Sequence, residues 1–232
     1  MSVSIVLPCY NPPQGWAENI VHQYGVLSAS LQQPLEVIIV YDGISKEVKG
    51  TDLVFLHDNI PGVQQISLEH NKGKGHALRT GIAQANGDII IYTDIDFPYT
   101  NESLHKICSA LQDNMCDIAV GVKDAVYYEK VPRLRRIISK FLQFFIRLFL
   151  SIPITDTQCG LKGFKADIKP VFLATTINRY LFDLEFIRNA SKSGRYRISA
   201  IPVSLNPGVH FRPMNYKVLL PEIINFIKIL LR

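Results

Sequence analysis

The sequence contains no hydrophobic run long enough to cross a membrane. A transmembrane helix needs about 18 or more apolar residues in succession, whereas the longest uncharged stretch of the 232-residue chain, residues 19–35, is interrupted by histidine, glutamine and serine. The first residues pass directly into a strand-like pattern, without the basic segment and cleavage site of a secretory signal. We therefore expect neither a membrane span nor a signal peptide.

Cysteine and charge are also scarce. The four cysteines, Cys9, Cys108, Cys116 and Cys159, form no CxxC pair, which favours reduced thiols in the cytoplasm over a disulfide framework or a zinc site. Charged residues make up 19% of the chain and apolar residues 47%. This composition excludes an intrinsically disordered protein and is sufficient for a large core.

The excess of positive charge is concentrated in one segment. The chain has 25 cations and 20 anions, a net charge of +5. Residues 130–155 contain no Asp or Glu but hold six of the cations, namely Lys130, Arg133, Arg135, Arg136, Lys140 and Arg147. The rest of the chain is nearly neutral, so this segment, and not the whole protein, is expected to meet an anionic partner.

Strand and helix patterns alternate along the first half of the chain. Apolar runs predict strands at 3–7, 36–41, 63–68, 88–93 and 117–122, and helical patterns lie at 16–31, 75–85 and 101–111. This order predicts an α/β fold with an open, mostly parallel, Rossmann-like sheet flanked by helices. We assign residues 1–165 to the core and residues 166–232 to the C-terminal part of the same domain.

Unusual residues fall where such sheets bind ligands, beyond the carboxyl ends of the strands. They are residues 8–11, Asp42-Gly43 and residues 94–96. Asp94 and Asp96 follow the strand at 88–93, and two carboxylates one residue apart can bind Mg²⁺ or Mn²⁺; an exposed turn is the simpler alternative. Residues 71–79 form a basic glycine-rich loop suited to phosphate. Its spacing is neither that of a Walker A loop nor that of a dinucleotide-binding loop, and a solvated loop is its alternative.

Two further polar segments occur later in the chain. Residues 156–164, Asp-Thr-Gln-Cys-Gly-Leu-Lys-Gly-Phe, place polar groups beside an apolar helical pattern, where a plain helix exit and turn is the alternative. Asp183 and Glu185 follow Phe182, and acids at a helix N-terminus account for them equally well.

In this order the segments resemble those of family 2 glycosyltransferases with the GT-A fold, in the branch that transfers hexoses to polyprenyl phosphates. The resemblance runs from residues 6–11 through Asp42-Gly43, the glycine-rich loop and Asp94-Ile95-Asp96 to residues 156–164 and 182–185. The block at 156–164, with Asn-x-Gly-Lys-Gly upstream, is most similar to dolichyl-phosphate glucosyltransferases.

The resemblance implies roles for individual residues. The nucleotide-sugar would be held at its base and ribose by Pro8, Tyr10 and Asp42, near its phosphates by Lys74, and near its sugar by Asp94. Asp96 would bind the metal ion, Mg²⁺ or Mn²⁺. Asp156 and Glu185 would orient acceptor and sugar, and Lys123 and Arg135 would bind the acceptor phosphate.

The implied reaction is an inverting, metal-dependent transfer of a hexose, glucose from UDP-glucose, to a polyprenyl phosphate. The enzyme would be cytoplasmic and peripheral on the cytoplasmic face of a membrane. One alternative is a family 2 enzyme whose acceptor is a saccharide or a precursor of a cell-envelope polymer. Another is a catalytically silent nucleotide-sugar-binding protein, because Tyr41 stands where the family usually has the first of two acids.

The basic segment predicts an amphipathic helix at about residues 133–151. Arg136, Lys140, Gln143 and Arg147 form one polar stripe on an otherwise apolar helix, a pattern typical of helices on anionic membrane surfaces. A second amphipathic helix is predicted at the C-terminus. The alternatives are packing on the sheet, a homodimer interface or a membrane-protein partner. Alternation of the cations with Phe and Ile argues against nucleic acid.

Overall fold

A seven-stranded sheet is the framework of the computed structural model, which describes residues 1–123, 133–150, 152–154, 156–207, 209 and 219–231. The strands are β1 (Val3–Cys9), β2 (Leu35–Tyr41), β3 (Gln64–Ser67), β4 (Ile89–Tyr92), β5 (Ile118–Lys123), β6 (Lys162–Lys165) and β7 (Ile198–Val203). Their order in the sheet is β3-β2-β1-β4-β6-β5-β7. Among these described strands only β6 runs antiparallel to its neighbours, which confirms the predicted mostly parallel sheet.

Helices cover both faces of the sheet. They are α1 (Trp16–Leu31), α2 (Gly50–Asn59), α3 (Lys74–Gln84), α4 (Asn101–Gln112), α5 (Arg133–Phe149), α6 (Lys169–Leu173), α7 (Phe182–Lys192) and α8 (Leu219–Leu231). One core cluster takes side chains from α1, α2 and α4, and a second takes them from α3 and α5 to α8. In β2, Val37 and Ile39 enter the first cluster whereas Ile38 and Val40 enter the second. Burial on both faces explains the almost continuous apolar sequence that predicts this strand.

The two strands β6 and β7 are not predicted by the sequence pattern. β6 consists of Lys-Gly-Phe-Lys, in a segment that reads as a turn, yet it pairs with β4 on one side and β5 on the other. A Cβ at Gly163 would lie 2.9 Å from the side chains of Ile107 and Leu111, so glycine lets α4 pack closely on this strand. β7 comes from the C-terminal part and pairs with β5.

Helices α5 and α8 leave much of their apolar surface exposed. They are anchored by the buried residues Ile146 and Ile229, and the rings of Phe145 and Phe226 meet edge to face with 6.5 Å between their centroids. We call their exposed large apolar side chains the apolar surface: Ile137, Phe141, Phe144, Leu148, Phe149, Ile223, Ile224, Ile227 and Leu231. Of the helices that the structure describes, none combines the length and the apolar character required to cross a membrane.

Candidate functional site

A cavity of about 610 Å³ lies beyond the carboxyl ends of β1, β2 and β4. Its lining includes most of the residues singled out in the sequence: Pro8, Tyr10, Asp42, Lys74, Asp94, Asp96 and Lys123. The described lining does not include Asp156 or Glu185. The side chain of Arg135 lies outside the described residues. The residues predicted to hold a nucleotide-sugar therefore converge on one cavity.

Asp42 holds the glycine-rich loop in place. Its buried carboxylate accepts hydrogen bonds from the backbone N–H groups of Lys72 and Gly73, at 2.8 and 2.9 Å. The next residue, Gly43, has a φ of 88°, and a Cβ there would fall 2.5 Å from the backbone nitrogen of Asn71. Glycine is required at this close approach. Asp42 thus shapes the loop in addition to lining the cavity.

Lys74 and Asp94 form an ion pair in the cavity wall, with 2.6 Å between Nζ and Oδ1. Burial by itself lowers the pKa of Lys74, but the negative charges of Asp94 and Asp183 outweigh burial and hold this pKa above its ordinary value. Lys74 is therefore a permanent cation at neutral pH. The other oxygen of Asp94, Oδ2, lies against Gly160, where any Cβ would overlap it. Gly160 of the block at 156–164 therefore leaves the space that the carboxylate of Asp94 occupies.

Asp96 projects from a loop that is fixed at several points. Asn206 donates hydrogen bonds from Nδ2 to the backbone oxygens of Phe97 and Tyr99, at 2.9 and 3.0 Å. Asn19 donates to the backbone oxygen of Asp96 at 3.3 Å. The residue itself is exposed in the cavity. An exposed carboxylate on a rigid loop can meet a ligand without a large loss of chain entropy.

Asp156 lies behind Lys123. Its Oδ2 accepts a hydrogen bond from the backbone N–H of Lys123 at 3.1 Å, and its Oδ1 lies 3.5 Å from Nζ. The side chain of Asp156 is only 12% exposed and that of Lys123 only 9%. Of the two residues, Lys123 is the one named in the described cavity lining. These contacts let Asp156 position Lys123, and the role of Asp156 in orienting acceptor and sugar stays a prediction.

Glu185 is bound to its own loop. Its buried carboxylate accepts hydrogen bonds from the backbone N–H groups of Thr176 and Ile177, both at 2.8 Å, and from Oγ1 of Thr176 at 3.0 Å. The sequence assigns Glu185 to orienting acceptor and sugar. In the structure its oxygens hold Thr176 and Ile177, and Glu185 is not among the described residues that line the cavity, so its role toward acceptor and sugar stays a prediction.

Asp183, which the sequence analysis does not select, is the acid of this segment that lines the cavity. Its Oδ1 accepts a hydrogen bond from Oη of Tyr92 at 2.6 Å and lies 2.9 Å from Nζ of Lys162. Lys162 is fully buried and also donates to the backbone oxygen of Cys159. Burial, and next the charge of Asp183, raise the pKa of Tyr92 well above its ordinary value, so the hydroxyl remains a donor. Because the sequence pattern does not indicate the strand β6, no local signal identifies Asp183 as the partner of its buried lysine.

Sequence relatives of the chain are glycosyltransferases. The profile of the family "Glycosyl transferase family 2" matches residues 4–170. Glycosyltransferase AglD of Haloferax volcanii is 26% identical over 213 residues, covering 89% of this chain and 33% of that protein. The dolichyl-phosphate beta-glucosyltransferase of Homo sapiens is 25% identical over 199 residues, covering 80% of this chain and 61% of that protein. The chain thus spans between a third and about three fifths of the length of these relatives.

Solved structures share the fold. Glucosyl-3-phosphoglycerate synthase from Mycobacterium tuberculosis superposes with a TM-score of 0.67 at 16% identity, covering 99% of this chain and 79% of the synthase. Mannosyl-3-phosphoglycerate synthase from Rubrobacter xylanophilus gives a TM-score of 0.63 at 11% identity, covering 98% and 72%. These likenesses confirm the GT-A fold. Because the family profile covers well over half of the sequence, the chain belongs to glycosyl transferase family 2.

Proposed function

We propose that the protein is an inverting glycosyltransferase that moves glucose from UDP-glucose to a polyprenyl phosphate. The observation that carries this proposal is that the charged cavity adjoins the N-terminal part of α8, a helix that carries part of the apolar surface. Tyr180 lines the cavity, and the backbone N–H of the next residue, Leu181, donates to Glu222 of α8 at 3.0 Å. A lipid phosphate can therefore enter the cavity while its hydrocarbon chain remains on the apolar surface, out of water.

The names of the relatives support the same substrates. The relative from Homo sapiens is called dolichyl-phosphate beta-glucosyltransferase, which supports glucose as the sugar and a polyprenyl phosphate as the acceptor. The synthase from Mycobacterium tuberculosis has been solved with UDP and Mn²⁺, and also with UDP and Mg²⁺. This supports a uridine nucleotide as the carrier and a divalent cation as the cofactor.

The proposed reaction needs no strong base. The phosphate of the acceptor is already an anion at neutral pH, so one of its oxygens attacks C1 of glucose from the side opposite UDP. The new C1–O bond forms as the bond from C1 to the diphosphate breaks, which inverts C1 and releases UDP. The protein then contributes chiefly by positioning the reactants and stabilising charge.

The residues of the cavity divide between donor and acceptor. On the donor side, Lys74 carries a permanent charge beside the diphosphate, and the base and ribose are held by Pro8, Tyr10 and Asp42. On the acceptor side, Lys123 meets the lipid phosphate and Asp156 keeps Lys123 in place. Arg135 is proposed as a second acceptor-phosphate residue from its sequence position alone.

The carboxylates of Asp94 and Asp96 fit a Mg²⁺ or Mn²⁺ ion that is shared with a diphosphate. Such an ion is held by one or two protein carboxylates together with phosphate oxygens and water. Asp94 is only partly exposed beside Lys74, whereas Asp96 is exposed in the cavity, so we propose Asp96 as the main protein ligand of the ion. Across the described ranges, no three or more His, Cys, Asp and Glu side chains assemble into an all-protein metal cage. When bound, the ion stabilises the charge on the departing diphosphate.

A transfer assay that varies donor and acceptor tests the proposal. The donors are UDP-glucose, UDP-galactose, UDP-N-acetylglucosamine and GDP-mannose, each with and without Mg²⁺ or Mn²⁺, and the acceptors are undecaprenyl phosphate, dolichyl phosphate and a free saccharide. We expect UDP-glucose with a lipid phosphate and metal to exceed every other combination by at least about tenfold. Transfer to the saccharide without lipid phosphate would favour the saccharide-acceptor enzyme, and UDP binding without turnover would favour a silent binding protein.

We also propose that the apolar surface rests on the cytoplasmic face of an anionic membrane. Lys140 and Arg147 are exposed on α5 beside the exposed rings of Phe141 and Phe144, and cations that flank an apolar stripe suit an anionic lipid surface. The four cysteines are free thiols, in keeping with a reducing compartment.

Replacing Arg136, Lys140 and Arg147 together by glutamine should weaken binding to vesicles that contain anionic lipid by about 100-fold. Each cation near such a surface contributes about 1 kcal/mol. Co-sedimentation with vesicles of phosphatidylcholine and phosphatidylserine measures the effect. A matched control removes the same charge from exposed positions elsewhere: Lys46, Lys106 and Arg195. The control should sediment like the original protein, and equal sedimentation of both triple variants would contradict the proposal.

A further inference from the structure

The loop at residues 175–178 is held from two sides. On one side, Glu185 accepts three hydrogen bonds from Thr176 and Ile177. On the other, the guanidinium of Arg79 donates from Nη1 to Oγ1 of Thr175 at 3.2 Å and to the backbone oxygen of Ile177 at 2.9 Å. Its Nη2 also donates to Oδ1 of Asn178. We call Arg79 and Glu185 the loop clamp.

Arg179 follows this clamped loop directly and lines the cavity. Its side chain lies next to Gly73 of the glycine-rich loop, since a Cβ at Gly73 would lie 3.6 Å from Cγ of Arg179. Arg179 is exposed, and its positive charge lies close enough to Glu222 of α8 to act on the pKa of that carboxyl group. Two residues later, Leu181 is bonded to Glu222 of α8. Arg179 therefore lies between the glycine-rich loop and the N-terminal part of α8, the helix that carries part of the apolar surface.

We infer that Arg179 binds the phosphate of the lipid acceptor, and that the loop clamp positions it. The inference rests on the proposed function and adds a residue to its acceptor site. A guanidinium presents a planar fork of donors that matches two phosphate oxygens at once. Arg179 offers this fork at the boundary where a lipid phosphate would pass from the apolar surface into the cavity. Because the clamp fixes the backbone directly before Arg179, little backbone entropy is lost on binding.

The inference is tested with farnesyl phosphate as a soluble probe of lipid phosphate, and with UDP in the presence of Mg²⁺ as a probe of the donor side. Arg179→Gln should weaken binding of farnesyl phosphate by at least about tenfold in calorimetry and leave UDP binding unchanged, whereas Arg179→Lys should recover part of the loss. Arg195→Gln is the matched control, an exposed arginine outside the cavity lining. Unchanged binding of farnesyl phosphate, or an equal loss of UDP binding, would overturn the assignment.

The positioning role of the loop clamp is tested by comparing the effect of a clamp variant in the presence and in the absence of Arg179. Glu185→Gln should raise the KM for the lipid acceptor several-fold with little change in kcat or in UDP binding. The double variant with Arg179→Gln should be no worse than Arg179→Gln alone, because both changes disable the same contact. Additive losses would show that Glu185 does not act through Arg179 and would overturn its positioning role.

Failure of this inference is distinguishable from failure of the proposed function. If the unmodified protein transfers glucose to lipid phosphate but Arg179→Gln retains full affinity for farnesyl phosphate, only the inference is lost. If no lipid phosphate is ever glycosylated and farnesyl phosphate still binds through Arg179, the phosphate site stands and the proposed reaction is lost.

Discussion

Asp96→Asn should lower the rate of glucose transfer by about 1,000-fold or more while the protein remains folded. In the proposed site Asp96 is the main protein ligand of the divalent cation, and loss of that charge stabilisation costs several kcal/mol, or about three powers of ten in rate. The side chain is exposed on a loop held by Asn19 and Asn206, so the change removes little folding energy. The measurements are kcat with UDP-glucose and undecaprenyl phosphate, and urea unfolding.

Asp58→Asn is the matched control for this variant, because Asp58 is an exposed acid on α2 outside the cavity lining. It removes the same charge and should keep the full rate. A second measurement isolates the metal: Asp96→Asn should abolish the enhancement of UDP binding by Mn²⁺, whereas Asp58→Asn should preserve it. Full transfer activity in Asp96→Asn would exclude this residue as the metal ligand.

The parts of the fold that the sequence predicts are those in which local pattern and tertiary packing agree. β1, β2 and β4 are buried on both faces, so their residues are apolar almost without interruption. Helix α1 is found at Trp16–Leu31, in agreement with its pattern. The strand predicted to stop before Pro8 continues to Cys9. Pro8 and Cys9 still pair with Val40 and Tyr41 of β2. Pairing with the neighbouring strand, and not the proline, therefore sets the end of β1.

The strands that the sequence misses depend on distant partners. Nothing local in Lys-Gly-Phe-Lys indicates a strand. Its Phe164 nevertheless pairs with Ile90 of β4 on one side and with Ile118 of β5 on the other. The charge of Lys162 is tolerated at the centre of the sheet only because Asp183 arrives from α7, some twenty residues later in the chain. Such long-range compensation cannot be read from spacing.

The candidate site shows the same division. Residues at strand ends converge on the cavity as predicted, because the topology of a parallel sheet collects them there. The choice between Asp183 and Glu185 could not be made in advance. Two residues apart on a helix, they point in roughly opposite directions, and only the packing of α7 decides that Asp183 lines the cavity while Glu185 holds the loop.

Lys162→Met should destabilise the protein by about 3–5 kcal/mol, a large part of the stability of an ordinary domain. Lys162 is fully buried and Asp183 is 4% exposed. The loss of the lysine therefore removes the ion pair of an interior carboxylate, which keeps the hydrogen bond from Tyr92 and the more distant charge of Lys74. The bond from Lys162 to the backbone oxygen of Cys159 is lost as well. Urea unfolding followed by circular dichroism measures the change in the free energy of unfolding.

Two variants separate this effect from a general loss of lysine. Adding Asp183→Asn to Lys162→Met removes the uncompensated charge while an amide oxygen can still accept the bond from Tyr92, so at least about half of the lost stability should return. Lys165→Met, on the same strand, should cost about 1 kcal/mol or less. Its partner Asp117 keeps Arg197, the main cause of the lowered pKa of Asp117. Equal destabilisation by Lys162→Met and Lys165→Met would mean that the loss of stability comes from replacing any lysine of this strand, and not from breaking the buried ion pair. In that case Asp183 would reach the cavity wall without the help of Lys162.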